Sequence, residues 1–402
     1  MKKILLIAAA ACLLAAPAAA QEKKTTAKND TVKFTVIKEN PITSIKDQNQ
    51  SGTCWAFSSL AFFESELLRM GKGTHDLCES FVVYHTMIDR AKAAVRLHGD
   101  ISFSQGGSFY DVVYCMKNYG MVPQEAMAAP GSLYGDTLFN HNELDAVAGA
   151  YVRAIAKGNF RKLSPCWING LYGIYDSYVG ELPKEFQKDG KSYTPKSYME
   201  SLGLNPDDYV SLTSFTHHPF YTQFIIEVPD NWMWGTVYNL PLDEMMAVVD
   251  NALENGYPVA WGTDVSEKGF SRTKAIGIVP AADLEGMGGT EAERWGKLTQ
   301  KEKDNALYKF DKPGKELAIT QEMRQEAFDN YETTDDHGMV IMGTATDQAG
   351  NRYYKVQNSW DVRPPYDGFW YFSRPFVAYK TTSVMVNKHA LPKEIAKKLG
   401  IK

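Results

Sequence analysis

The chain has 402 residues, with 48 acidic and 43 basic side chains and a formal net charge of -5 at pH 7. That mild acidity, with no dense Lys/Arg patch, argues against a nucleic-acid partner. The composition is that of a globular protein, and the length exceeds what one hydrophobic core usually holds, so two or more lobes are expected.

Residues 1–20 read as a signal peptide. Lys2 and Lys3 give a basic start, residues 4–14 an apolar run too short for a membrane span, and Ala18-Ala19-Ala20 a small-residue cleavage site. The mature chain is expected to begin near Gln21 and to work outside the cytoplasm, in the periplasm. Cys12, after Ala9-Ala10-Ala11, offers a lipidation site instead, but the run stays apolar to Ala20, which suits cleavage better than anchoring. No later stretch is apolar enough to span a bilayer.

Residues 21–40 form a polar leader with a short strand at 34–37. Residues 41–52 are a loop. From 54 to 70 the apolar residues Trp55, Phe57, Leu60, Ala61, Phe63, Leu67 and Leu68 recur at helical spacing, nearly unbroken at the start. This predicts a helix buried on most sides, stopped by Gly71 and Gly73. Further helices are expected at 80–96 and 109–118, and together these make a helical lobe over 41–130. Residues 131–240, rich in Tyr, Lys and Gly, read as a large insertion with helices of its own, such as 143–157. Residues 241–390 form a β-rich lobe. It holds a helix at 242–255, a strand at 257–263 and a charged helical stretch at 298–330 broken at Pro313-Gly314. A hairpin follows, with strands at 338–344 and 352–357 around the turn Asp347-Gln348-Ala349-Gly350-Asn351. Residues 391–402 are a short C-terminal tail.

The hairpin carries chemistry. His337 and Asn358 fall near its open end, so antiparallel pairing brings imidazole and amide together. Cys54 stands at the head of a helix, where partial positive charge favours a thiolate; an imidazolium at His337 would favour it more. Asn358 would hold the ring plane, by accepting or donating at the far nitrogen. Gln48 and the Cys54 backbone N–H could share an oxyanion, and Trp360 could shield the His337–Asn358 bond from water. Taken singly, these are a buried cysteine, an edge histidine, a turn asparagine and a loop amide. Their order and local contexts together point to cysteine-dependent acyl transfer. The other cysteines, Cys78, Cys115 and Cys166, are too sparse for a disulfide framework; Cys78 and Cys115 read as buried thiols. With Cys54 as the nucleophile, three remain, so at least one other stays unpaired. His217-His218 has no cysteine or carboxylate at ligand spacing and reads as a loop pair, so no metal and no cofactor are expected.

At these residues the chain resembles the papain-like cysteine peptidases. Gln48 and Cys54-Trp55-Ala56-Phe57 look like that family's oxyanion and nucleophile segment, His337-Gly338-Met339-Val340 like its histidine strand, and Asn358-Ser359-Trp360 like its asparagine motif. Gln105-Gly106-Gly107 matches the edge where the second glycine pairs its backbone with substrate. The nearer similarity is to the bleomycin hydrolase and aminopeptidase C branch, in Pro258-Val259-Ala260-Trp261-Gly262-Thr263-Asp264-Val265 and the middle insertion. The resemblance implies an α+β fold of two lobes, peptide substrates, aminopeptidase action and a homo-hexamer. Two features depart from the branch: the export signal, and a tail that ends soon after Ile395, where the family's arm continues into the cleft. The short tail leaves endopeptidase action through an open cleft as an alternative. Asp361 stands where the family has glycine, read here as a tolerated loop change. A transglutaminase-type enzyme would want an aspartate at 358, and a catalytically inactive peptide-binding relic would typically have lost one of the four site residues.

Overall fold

The computed structural model describes residues 32–402. The expected signal peptide, the Cys12 site and the start of the leader lie outside the described residues. No helix among those described is long and apolar enough to cross a membrane.

The first lobe is helical. Helix α1 (Cys54–Arg69) is buried along almost its whole length, as its dense apolar pattern predicts. It packs with α2 (Glu79–Arg96) and α3 (Phe109–Asn118), whose start is tied by a reciprocal capping box between Ser108 and Asp111. Beyond them come α4 (Asn142–Lys157), α5 (Trp167–Val179), a small hairpin of β2 (Phe186–Lys188) and β3 (Lys191–Tyr193), and α6 (Pro195–Leu202). Phe63, Met87, Val112, Leu144, Leu171 and Tyr198 meet in one apolar core.

The second lobe is built on one large sheet. Its strands are β4 (Tyr209–Thr213), β5 (Gln223–Ile225), β6 (Thr236–Asn239), β7 (Val259–Thr263), β8 (Phe270–Ser271), β9 (Ile276–Gly277), β10 (His337–Asp347), β11 (Arg352–Gln357), β12 (Phe369–Ser373) and β13 (Thr381–Asn387). They run in the order β5-β6-β4-β13-β7-β10-β11-β12-β9-β8, and β1 (Phe34–Glu39) pairs onto β10. Helix α7 (Leu242–Glu254) covers the sheet through Met245 and Val249, in a core with Trp261, Ile341 and Phe372. Helices α8 (Gly289–Lys297), α9 (Gln300–Leu307) and α10 (Gln321–Asp329) form the charged stretch, which starts earlier than its sequence pattern suggests. Helix α11 (Arg374–Lys380) links β12 to β13, and α12 (Lys393–Leu399) lays Ile395 and Leu399 into the second core.

The segment 131–240 does not pack as one body. Its helices carry apolar faces, with Leu144, Ala148 and Val152 on α4 and Leu171 and Tyr175 on α5, which share the core of α1 to α3. Its strands instead extend the sheet, where β4 pairs antiparallel with β13. Weak periodicity hid this division because each piece completes a surface made elsewhere in the chain.

Two features join the lobes near the nucleophile. Helix α1 lies against β10, and a Cβ on Gly338 would stand 2.6 Å from Ser58 Oγ, so a larger residue there would have to displace that hydroxyl. Ahead of α1, Lys46 anchors the loop. Its ammonium lies 2.7 Å from Glu79, 2.7 Å from Asp76 and 3.3 Å from Glu64. Burial opposes its charge, but these three carboxylates outweigh that and hold its pKa well above the ordinary lysine value. Lys46→Ala would strand Glu64 and Glu79 in the interior. A loss of about 3 kcal/mol is expected, read as a lowered denaturant midpoint with unchanged slope.

Candidate active site

A cleft between the lobes is lined by Gln48, Cys54, Gly107, Asp230, Asp335, His337 and Trp360, among others. Cys54 is the first residue of α1 and His337 the first of β10. The hairpin register, Val340 opposite Gln357, brings Asn358 beside His337. His337 Nε2 lies 2.8 Å from Asn358 Oδ1. That oxygen also accepts the Ser359 backbone N–H at 2.8 Å, which fixes which end of the amide faces the ring. Nε2 therefore carries the proton, and Nδ1 is left as the basic nitrogen of the neutral ring. The Trp360 indole stacks on the imidazole, 4.6 Å between centroids, and Arg272 covers the indole in turn. Asp336, one residue before, is held by the N–H groups of Val265 and Ser266 and by the Thr334 hydroxyl.

Gln48 is buried and oriented at both ends of its amide. Its Oε1 accepts the Ser359 hydroxyl at 2.7 Å, and its Nε2 donates to Ser51 O at 2.7 Å, leaving a second N–H on that nitrogen. Its backbone N–H donates to Ser359 O, so the loop before Cys54 and the loop after β11 are tied together. Gln105 secures the same loop from the helical side, its Oε1 accepting Gly52 N–H and its backbone O accepting Trp55 Nε1–H, both at 2.8 Å. Ser359, Gln105 and Gly338 were not singled out for these positions in the sequence. Ser359 and Gly338 stand inside quoted motifs, which was the available signal.

The glycines at 106 and 107 also answer to packing within the protein. A Cβ on Gly107 would meet the Trp55 ring at 2.8 Å and Asp111 Oδ2 at 2.7 Å, and one on Gly106 would meet Asp230 Oδ2 at 1.9 Å. Asp361 adopts φ 68°, the left-handed conformation that favours glycine and that aspartate tolerates.

Electrostatics set the resting state. Burial pushes the Cys54 thiol up to about 11, with Asp335 and Asp230 adding to the rise, while the N–H groups of Gly338 and Trp55 act against it. Burial takes His337 down to about 4, opposed by its bond to Asn358. Burial thus opposes the charge on each group taken alone, whereas the expected thiolate–imidazolium pair would gain from mutual attraction as well. Asp335, beside the cleft, is raised to about 7 by burial and by the charge of Asp230.

All four cysteines among the described residues are free, Cys78 and Cys115 buried and Cys166 exposed. At the His217-His218 pair the structure supplies what the local sequence did not: Glu227 lies 3.1 Å from His217 Nε2 and 2.8 Å from His218 Nε2. Gln325 decides its use. Its Oε1 accepts Thr216 N–H, and its Nε2 lies 2.9 Å from Asp329 and 3.0 Å from His217 Nδ1. His217 Nδ1 is thus an acceptor, and Nε2–H points its proton at Glu227, a hydrogen-bonded cluster rather than a ready metal ligand.

Comparison with known proteins agrees with this geometry. Residues 29–89 match the model of the papain family cysteine proteases, and residues 288–401 that of the peptidase C1-like family. Aminopeptidase G of Lactobacillus delbrueckii subsp. lactis is 24% identical over 398 residues, covering 89% of this chain and 83% of that protein. Aminopeptidase C of Lactobacillus helveticus is 24% identical over 413 residues, covering 90% and 85%. The crystal structure of PepW from Lactobacillus rhamnosis superposes with a TM-score of 0.68 at 19% identity, over 91% of this chain and 84% of that one. The protein is a cysteine-type peptidase of papain-like fold. Within that class its sequence is similar to aminopeptidases of the C and G types.

Iodoacetamide is expected to label Cys54 in the folded protein and to spare buried Cys78 and Cys115. Because the Cys54 thiol ionises at about 11, its labelling rate should still be climbing at about pH 9. A rate already level near neutral pH would mean a stabilised thiolate instead.

Proposed function

We propose that the protein is an exported aminopeptidase that hydrolyses peptide bonds through a thioester on Cys54. The observation that carries this reading is the His337–Asn358 bond, which leaves Nδ1 basic in the same cleft as a thiol at a helix head. As Cys54 Sγ attacks the scissile carbonyl, its proton passes to His337 Nδ1. The oxyanion is met by the second Gln48 Nε2–H and the Cys54 backbone N–H. The C–N bond then breaks, the leaving amine takes the proton from Nδ1, and the acyl group remains on sulfur. Water attacks the thioester with His337 again as base. The C–S bond breaks, the thiolate recovers the proton, and the acid product leaves.

The aminopeptidase assignment is supported by the relatives bearing that name. In the tail, Ile395, Leu399 and Ile401 pack with the second core and Lys398 pairs with Glu244, and none of residues 391–402 is among those lining the cleft. Lys2, Lys3, the apolar run at 4–14 and Ala18-Ala19-Ala20 support export to the periplasm, and the family resemblance supports a homo-hexamer.

Cys54→Ala should abolish peptide hydrolysis at an unchanged melting temperature; retained turnover removes Cys54 from the mechanism. Gln48→Ala should lower kcat about 100-fold with little change in KM. The acid limb of kcat/KM should track the depressed imidazole, whose pKa is about 4. Above that value His337 is neutral and can accept the thiol proton, and below it the ring is already charged. A limb at the ordinary histidine value contradicts the neutral pair.

A further inference from the structure

The stretch 226–235 between β5 and β6 leaves the sheet lobe, reaches the helical lobe and returns. Asn231 ties it internally: its Nδ2 donates to Ile226 O and Gly235 O, each at 2.9 Å, and its Oδ1 accepts Gly235 N–H at 2.7 Å. Trp232 is buried and donates its indole N–H to Asp111 at the head of α3. The strap is therefore anchored to both lobes, and Ile226, Val228, Asp230 and Asn231 form part of the cleft lining.

Asp230 sits on the edge formed by Gly106 and Gly107. With its Oδ2 only 1.9 Å from where a Gly106 Cβ would stand, its carboxylate fills the strip along which an extended acyl-side chain would continue. Its charge is met in part, by a hydrogen bond from the Ser104 side chain and by Arg90. Arg90 is the neighbouring cation, but that guanidinium is spent on Ser102 O, Gly106 O and Ser104 Oγ and reaches Asp230 Oδ1 only at 3.5 Å. Across the cleft lies Asp335, whose side chain accepts from Thr382 Oγ1 at 3.2 Å. The two carboxylates repel each other and both act on the Cys54 thiol. Asp230 remains 26% exposed, toward the cleft. A compact cation with several N–H donors, arriving where the acyl chain must end, would relieve both charges.

We propose that Asp230, carried on the strap 226–235, closes the acyl side of the cleft and binds the α-ammonium of the substrate, so that this residue restricts cleavage to free N-termini. The inference rests on the peptidase reading above and adds the group that determines its specificity. Steric closure at Gly106 and a partly exposed carboxylate facing the cleft are independent observations, and both fall on Asp230.

The test uses the full-length protein and one dipeptidyl arylamide in free and N-acetylated forms. Wild type should prefer the free form. In Asp230→Asn, kcat/KM for the free form should fall about thirtyfold or more, mainly through KM, and the free-to-acetylated ratio should fall with it. An unchanged ratio in a variant that still shows Cys54-dependent hydrolysis overturns the ammonium site and leaves the peptidase reading standing. If wild type hydrolyses neither form through Cys54, the peptidase reading fails and the ammonium site with it. A measurement free of any variant compares the α-amino substrate with its α-hydroxy isostere on wild type. A strong preference for the amine supports recognition of charge, and equal kcat/KM overturns it.

Discussion

The close approach of α1 to β10 at Gly338 is the constraint on which the site depends. Cys54 and His337 belong to different lobes and lie 283 positions apart by residue number. They share a cleft because β10 runs directly against the first turns of α1. A Cβ at 338 would press on Ser58 Oγ and the Phe109 ring, so the Ser58 hydroxyl would have to turn away to admit even a methyl group. The same glycine turns its backbone N–H to the Cys54 sulfur. Packing between lobes and polarity at the nucleophile are thus set by one absent Cβ.

Around that seam the polar parts are over-determined. Gln48, Asn358 and Ser359 hold one another, and the loop carrying Gln48 is secured on its other flank by Gln105 and at its base by Lys46. Such support matters because oxyanion and imidazole geometry must be in place before a substrate arrives. Burial has the opposite effect on resting charge: the thiol is raised and the imidazole lowered.

How much of this was legible in the sequence depended on distance along the chain. Helices α1 and α3 and the β10–β11 hairpin were readable because periodicity, stop glycines and the Asp347–Asn351 turn are local signals. The meeting of His337 and Asn358 followed from the hairpin alone. What joins distant segments was not readable: the bond from Ser359 to Gln48, the seat of Asp230 on Gly106, and the division of 131–240 between two cores. Nor was the packing of the Trp55 ring and Asp111 against Gly107. A helix head is visible in sequence, but the burial that opposes charge on both Cys54 and His337 is not.

The central claim is that acyl transfer passes through the Cys54 sulfur. Its most direct test is acid-quenched mass spectrometry of the protein during turnover of a peptide ester, followed by peptide mapping. The account predicts an added acyl mass on the peptide containing Cys54, appearing before steady state and absent from those containing Cys78, Cys115 and Cys166. Product accumulating with no Cys54 adduct, or an adduct on another residue at a competent rate, would contradict it.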